Sequence, residues 1–270
     1  MTISRSTASA FPIVQQEASG GPVSVTIPTL GGQGESLLIY TWNYGGGTVS
    51  TLEASNGLTF TPFGGQLDLA MGGAIQAYST VITAAAAGAT GVTVSGSIVG
   101  TSDYSQIVAD EFISGLGPQT QWYAYTGVGI SNAASATPVF PSLASASTAE
   151  ELAYIGYMQP NGVNGTGGTS PIAGAAFTYS SYSDTYVIAF GNIAPSTTYQ
   201  PVASLASSAL SCGFAAVWAA YLPAQTINQP PMLEMQAITR AGSWMKRAAS
   251  GLFTPRERER IVIPQLVTVR

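Results

Sequence analysis

The chain has no histidine, and this one absence removes the usual general base, the Ser-His-Asp and Cys-His arrangements and the commonest metal ligand. Cys212 stands alone, which excludes an internal disulfide and a cysteine-based zinc site. Charged residues are 8% of the chain, where about 25% is usual for soluble domains. The surface must therefore be made from Ser, Thr, Asn, Gln, Gly and Tyr. No Lys or Arg stands between Arg5 and Arg240, and a segment without cations cannot neutralise phosphates, so nucleic acid is not expected as a partner. No run of about 18 apolar residues occurs, so membrane insertion is not expected either. Residues 1–16 hold one arginine and no long apolar run before a small-residue cleavage site, and they do not read as a signal peptide.

What is present is apolar: 46% of 270 residues, enough for a large core. Single domains stop growing near about 250 to 300 residues, and the chain reads as three parts: an N-terminal arm (1–21), a β-sandwich domain (22–223) and a C-terminal amphipathic helix with a basic anchoring tail (224–270). Charge divides along the same line. Eleven acidic and no basic residues lie in 6–239, whereas the last 31 residues carry seven basic groups against two acidic ones.

The pattern of residues 22–223 is short apolar runs separated by Gly, Asn, Pro and Ser clusters, which predicts an all-β, antiparallel sandwich. Strands are expected over 23–27, 36–43, 58–62, 72–83, 91–97, 105–113, 151–158, 175–180, 186–190 and 212–222. In 74–83 the two faces differ too little to say which is buried. The glycine-rich stretches 44–48 and 161–170 read as loops, since neither has the following helix or the lysine of a phosphate cradle. Loop tips on rigid sandwiches are where partner contacts concentrate. Pro230 and Pro231 end the domain. Beyond them, 232–252 reads as a helix with Met235, Ile238, Ala241, Met245, Ala248 and Leu252 on one side and Trp244 at its border.

Taken in order, several segments resemble the jelly-roll-like β-sandwich domain of tailed-phage minor tail and virion-surface proteins. They are Gly34-Glu35-Ser36-Leu37-Leu38-Ile39-Tyr40, Gly57-Leu58-Thr59-Phe60-Thr61-Pro62, the alternating 74–83, the strand 91–97, Ala109-Asp110-Glu111-Phe112-Ile113-Ser114-Gly115, Thr148-Ala149-Glu150-Glu151-Leu152-Ala153, and 214–220. Phe60 stands where that family usually has Trp. The resemblance implies a jelly-roll-like fold and a structural particle component at the virion surface, of minor tail or fibre type, synthesised in the host cytoplasm. A capsid decoration or head-spike protein is the alternative placement. Such a component is expected to form a homo-oligomer and to meet other virion proteins, whose acidic surface would dock the basic tail.

No catalytic residue, metal or cofactor is expected. Asp110 and Glu111 are adjacent on a strand, so they point to opposite faces and cannot form one acid-base dyad; one is expected to be solvated and the other to fix the following turn. A glycan-cleaving enzyme is the contrasting reading. It needs two carboxylates about 5 to 9.5 Å apart, and Asp103, Glu111 and Asp184 are the donors available from separate strands. Aromatic side chains near strand ends, with Asn and Gln nearby, suit sugar recognition, and Trp42, Tyr44, Trp122, Tyr123 and Tyr125 are the candidate ligand-binding residues, with a host cell-surface glycan as ligand. Packing of the sandwich is their competing role. The candidate assembly residues are Ile238, Trp244, Met245, Lys246, Arg247, Leu252, Arg256, Arg258 and Arg260.

Overall fold

In a computed structural model of the chain, the described residues are 2–17, 22–45, 47–68, 70–100, 103–145, 151–170, 177–182 and 186–222. The chain divides into two compact units, Met1–Pro223 and Ala224–Arg270, and the described residues all belong to the first. The expected helix 232–252, the basic tail and every candidate assembly residue, from Ile238 to Arg260, lie outside them.

The described part is all-β and antiparallel, with no helix. Its strands are β1 (Ile3–Arg5), β2 (Ile13–Glu17), β3 (Val23–Thr29), β4 (Ser36–Tyr44), β5 (Thr48–Ala54), β6 (Thr61–Asp68), β7 (Gly73–Val81), β8 (Thr90–Val99) and β9 (Tyr104–Ser114). They continue with β10 (Gln121–Ser135), β11 (Leu143–Ala144), β12 (Glu151–Pro160), β13 (Gly165–Thr169), β14 (Phe177–Tyr182), β15 (Tyr186–Asn192), β16 (Thr198–Tyr199), β17 (Val202–Leu205) and β18 (Ala209–Tyr221).

The pairings are nested. β2 pairs with β9, β3 with β8 and β4 with β7, which folds 13–114 into a large sheet ordered β2-β9-β4-β7-β6 and a smaller one ordered β3-β8-β5. The same order then recurs. A second large sheet runs β10-β18-β12-β15-β14, and β11 and β13 pair with the consecutive short strands β16 and β17. A Val139–Val202 bridge and bonds such as Phe140 N to Pro201 O join these short strands into one strip. The described chain is thus two copies of one topological unit, 13–114 and 121–221.

The ladders also match residue by residue. Tyr40 lies opposite Val108 and Ala77, and Tyr157 lies opposite Phe214 and Ile188. With Tyr40 set on Tyr157, Phe112 falls on Trp218, Ser105 on Ser211, and Phe60-Thr61 on Phe177-Thr178. Tyr40 and Tyr157 stack on each other across the junction of the copies, with centroids 5.2 Å apart and planes 8° from parallel.

Three apolar cores follow from this arrangement. One lies inside the first copy, where Val23, Val25 and Ile27 meet Leu37, Ile39, Ile107 and Ala109. A second lies inside the other copy, where Phe140, Leu152 and Tyr154 meet Val187, Val217 and Leu205. The third lies between the two large sheets and includes Leu38, Tyr40, Phe112, Ile155, Tyr157, Phe214 and Trp218. Each fully buried side chain of this size contributes roughly 1.5–3 kcal/mol. β3, at the outside, alternates buried and exposed residues as a one-sided strand should. The large sheets are covered on both faces, so β12 is buried along its whole length and β4 nearly so; this is why residues 74–83 show no clear inner face.

Several expectations need correction. Within the stretch expected as an N-terminal arm, residues 3–5 and 13–17 form β1 and β2, which lie in succession along the free side of β9 and complete the first large sheet. The longest strand, β10, was expected as no strand at all. It contains Gly127 and Gly129, because a Cβ at the first would press on the Phe214 ring and one at the second on Gln66. Close packing demands glycine there, and glycine reads as loop. The glycine-rich stretch 161–170 likewise contains β13, paired with β17, and Thr48, at the end of the other glycine stretch, begins β5.

Candidate functional site

A cleft of about 330 Å³ opens where the ends of β4 and β12 meet, lined by residues of both copies. Two of its lining residues share a rung of the first large sheet, since Gln16 of β2 lies opposite Gln106 of β9, which lies opposite Trp42 of β4. The next rung brings Tyr104 beside Tyr44. Alternation puts Trp42 and Tyr44 on one face of β4. Trp42 is buried, its six-membered ring lying where a Cβ on Gly73 would be, while Tyr44 is 44% exposed at the rim. From the second copy come Gln159, Pro160, Asn161 and Gly162.

The amides are held in place. The Tyr157 hydroxyl lies 2.7 Å from Gln106 Oε1 and 2.8 Å from Gln159 Oε1, and with a single proton it donates to one of them at a time. Tyr157 is fixed in turn by stacking on Tyr40 and on Tyr186, the latter with centroids 6.0 Å apart. Gln16 Nε2 is buried with no hydrogen-bond partner among the described residues. Asp68 accepts the Ala70 and Met71 N–H groups and sets the turn that brings Met71 to the wall. Every lining residue is uncharged. The arrangement offers flat aromatic surface and neutral amide donors and acceptors.

The five candidate ligand-binding aromatics do not form one surface. Trp42 and Tyr44 line the cleft, whereas Trp122 and Tyr123 line a wider depression of about 590 Å³ with Phe63, Trp218 and the hydroxyl residues Thr59, Thr61 and Ser79. There Trp122 is structural: its Nε1 donates to Gly34 O at 2.7 Å and its ring stacks on Trp218. Tyr123 meets Tyr221 edge-on at 5.4 Å. Tyr125 belongs to β10, and its side chain is outside the described part. Gln16, Tyr104, Gln159 and Asn161 were not singled out from the sequence. The signal available was the amide-rich turn Gln159-Pro160-Asn161-Gly162 directly after an apolar strand.

The carboxylates depart from expectation. Asp110 and Glu111 do face opposite sides of β9, but both are fully buried, so neither is the solvated carboxylate the sequence suggested. Asp110 accepts Arg5 Nε through both oxygens at 3.0 Å, and Arg5 Nη1 donates to Ser180 Oγ of the other copy at 2.7 Å. Burial pushes the Asp110 carboxyl up to about 6, although Arg5 pulls it down. Glu111 accepts the Gly31 N–H at 3.0 Å. It is pushed up to about 7, first by burial and then by neighbouring Glu35, against the bonds from Ser6 and Gly31. A carboxylate pair for glycan cleavage does not form from Asp103 and Glu111, which stand eight positions apart along one extended segment, about 26 Å at strand rise. Asp184 lies outside the described residues. Glu151 accepts the Ser114 hydroxyl at 2.7 Å, a bond between the copies. Cys212 is buried and its thiol is pushed up to about 12, by burial first and by Asp68 second, so it is a poor nucleophile at neutral pH.

No protein-family model, no curated protein and no solved structure matches the chain.

Proposed function

We propose that the chain is a non-enzymatic structural component of a phage particle, a surface-exposed β-sandwich of jelly-roll type attached to its neighbours through residues 224–270. The observation that carries this reading is the doubled unit. The nested pairing of β2 with β9, β3 with β8 and β4 with β7 is jelly-roll order, and two such units share an apolar core between their large sheets. That makes a rigid block. Its buried acids are each hydrogen-bonded: Asp110 accepts from Arg5, Glu111 from the Gly31 N–H, and Glu151 from the Ser114 hydroxyl of the other copy. The neutral surface suits a long-lived particle, and the basic groups confined to 240–270 suit docking onto an acidic neighbour, whether a second virion protein or another copy of this chain.

Removal of residues 224–270 tests the anchoring. The shortened chain is expected to keep its β-type circular dichroism and to be missing from purified particles. Normal incorporation would overturn the reading. Gold-labelled antibody on intact particles then separates a minor tail or fibre position from a capsid decoration or head spike.

A further inference from the structure

We propose that the cleft between the two copies is a binding subsite for one neutral hexopyranose unit of a surface glycan. The inference gives the surface role proposed above its ligand chemistry and rests on that reading for its biological use.

Three features narrow the ligand class. The first is charge. The lining has no ionisable acid or base other than tyrosine hydroxyls, and the one cationic side chain among the described residues, Arg5, is engaged by Asp110. At the rim, Asp103 is exposed and its N–H donates to Tyr44 O. A sialylated, sulfated or phosphorylated group would meet an acidic edge and no counter-charge, so the ligand is neutral. The second is surface type. The half-exposed Tyr44 ring presents a flat face of the kind that packs on the C–H face of a pyranose, and tyrosine supplies such area at low entropic cost. Gln159 and Asn161 supply amide groups for hydrogen bonds with sugar hydroxyls.

The third is preorganisation. Gln159 is 4% exposed and pinned by the Tyr157 hydroxyl, and Tyr157 belongs to the core shared by both copies. The position of the Gln159 amide is therefore set by the same contacts that join the two units, and a ligand meets little ordering cost. A volume of about 330 Å³ is at the small end for ligand sites, matching a single ring and not a long chain.

The test uses the purified full chain. Methyl glycosides of glucose, galactose and mannose are screened by saturation-transfer NMR and titration, with N-acetylneuraminic acid and glucose 6-sulfate alongside. At least one neutral glycoside is expected to bind, the two acids are not, and Tyr44→Ala should weaken binding at least about tenfold while Tyr44→Phe retains most of it. Because Tyr44 is at the rim, the alanine variant should unfold with the wild type. Absence of neutral-sugar binding, preference for the acids, or binding that survives Tyr44→Ala overturns the proposal. The assay needs no particle, so its failure and the failure of the structural-component reading are separate results.

Discussion

The two copies of the repeated unit solve the same packing problem with different chemistry. Under the alignment that places Tyr40 on Tyr157, Arg5 falls on Ala124, Asp110 on Ala216, Glu35 on Leu152 and Glu111 on Val217. Leu152 and Val217 belong to the apolar core of the second copy, and Ala216 to the core between copies. Each of these four charges in the first copy is matched by an apolar residue in the second. The topology therefore does not require these charges. The flanks of the junction differ in the same way. On one, the half-buried Phe63 ring meets Trp218 at 5.1 Å and Phe214 at 5.7 Å; on the other, Arg5 and Asp110 lie beside Phe112 and Phe190, with the guanidinium 5.8 Å from the Phe190 ring.

If the second copy shows what the first could be, the Arg5–Asp110 pair is replaceable but not divisible. Arg5→Met leaves Asp110 buried without its partner, and a loss of about 3–5 kcal/mol is expected in urea unfolding. Arg5→Met combined with Asp110→Leu should recover most of it, because the desolvation cost of both charges disappears together. A double variant as unstable as the single one would show that the charged flank does something the apolar flank does not.

The Glu35–Glu111 site should make stability depend on pH. Glu111 binds its proton more tightly in the folded chain, with the carboxyl raised from the ordinary 4.5 to about 7. Between those values the folded state holds more protons than the unfolded one, so stability falls as pH rises through this window and is fully present below it. Asp110, raised from 3.8 to about 6, acts in the same direction at somewhat lower pH. Glu111→Gln, which keeps an acceptor for Gly31, should remove the Glu111 part. At pH 8 it should be more stable than the wild type by on the order of 2 kcal/mol, with the advantage gone near pH 4. Thermal unfolding across pH checks this, and an advantage that stays constant with pH would contradict it.

The comparison also explains what could be seen in the sequence. The all-β class and strands such as 23–29 and 90–99 were legible because one face of each meets water and the hydrophobic alternation survives. The duplication was not. Its copies share only scattered identities such as Tyr40 with Tyr157 and Phe60-Thr61 with Phe177-Thr178, and they match through ladder register, which is a long-range property. The buried fate of Asp110 and Glu111 was hidden for a similar reason: their partners Arg5 and Gly31 are remote in sequence and approach only when β1 and the segment before β4 reach β9. In the cleft, Trp42 and Tyr44 were legible as aromatics near a strand end. Gln16 and Gln159 come from opposite copies, so nothing local linked them.

The smallest expected effect separates the two aromatic clusters. Trp122 and Trp42 looked alike in sequence, yet Trp122 Nε1 is bound to Gly34 O across the junction and its ring stacks on Trp218. Trp122→Phe keeps an aromatic ring and deletes the donor, leaving a carbonyl without that bond, which should cost about 1 kcal/mol in denaturant unfolding. Because Trp122 lines the other depression and not the cleft, affinity for a neutral glycoside should be unchanged in this variant. Tyr44→Ala should do the reverse, with stability close to wild type and binding lost. Measuring both quantities on both variants forms a two-by-two comparison in which a structural and a recognition aromatic exchange their effects. If Trp122→Phe weakens sugar binding as much as Tyr44→Ala does, the two clusters act as one surface and the division drawn from their hydrogen bonds fails.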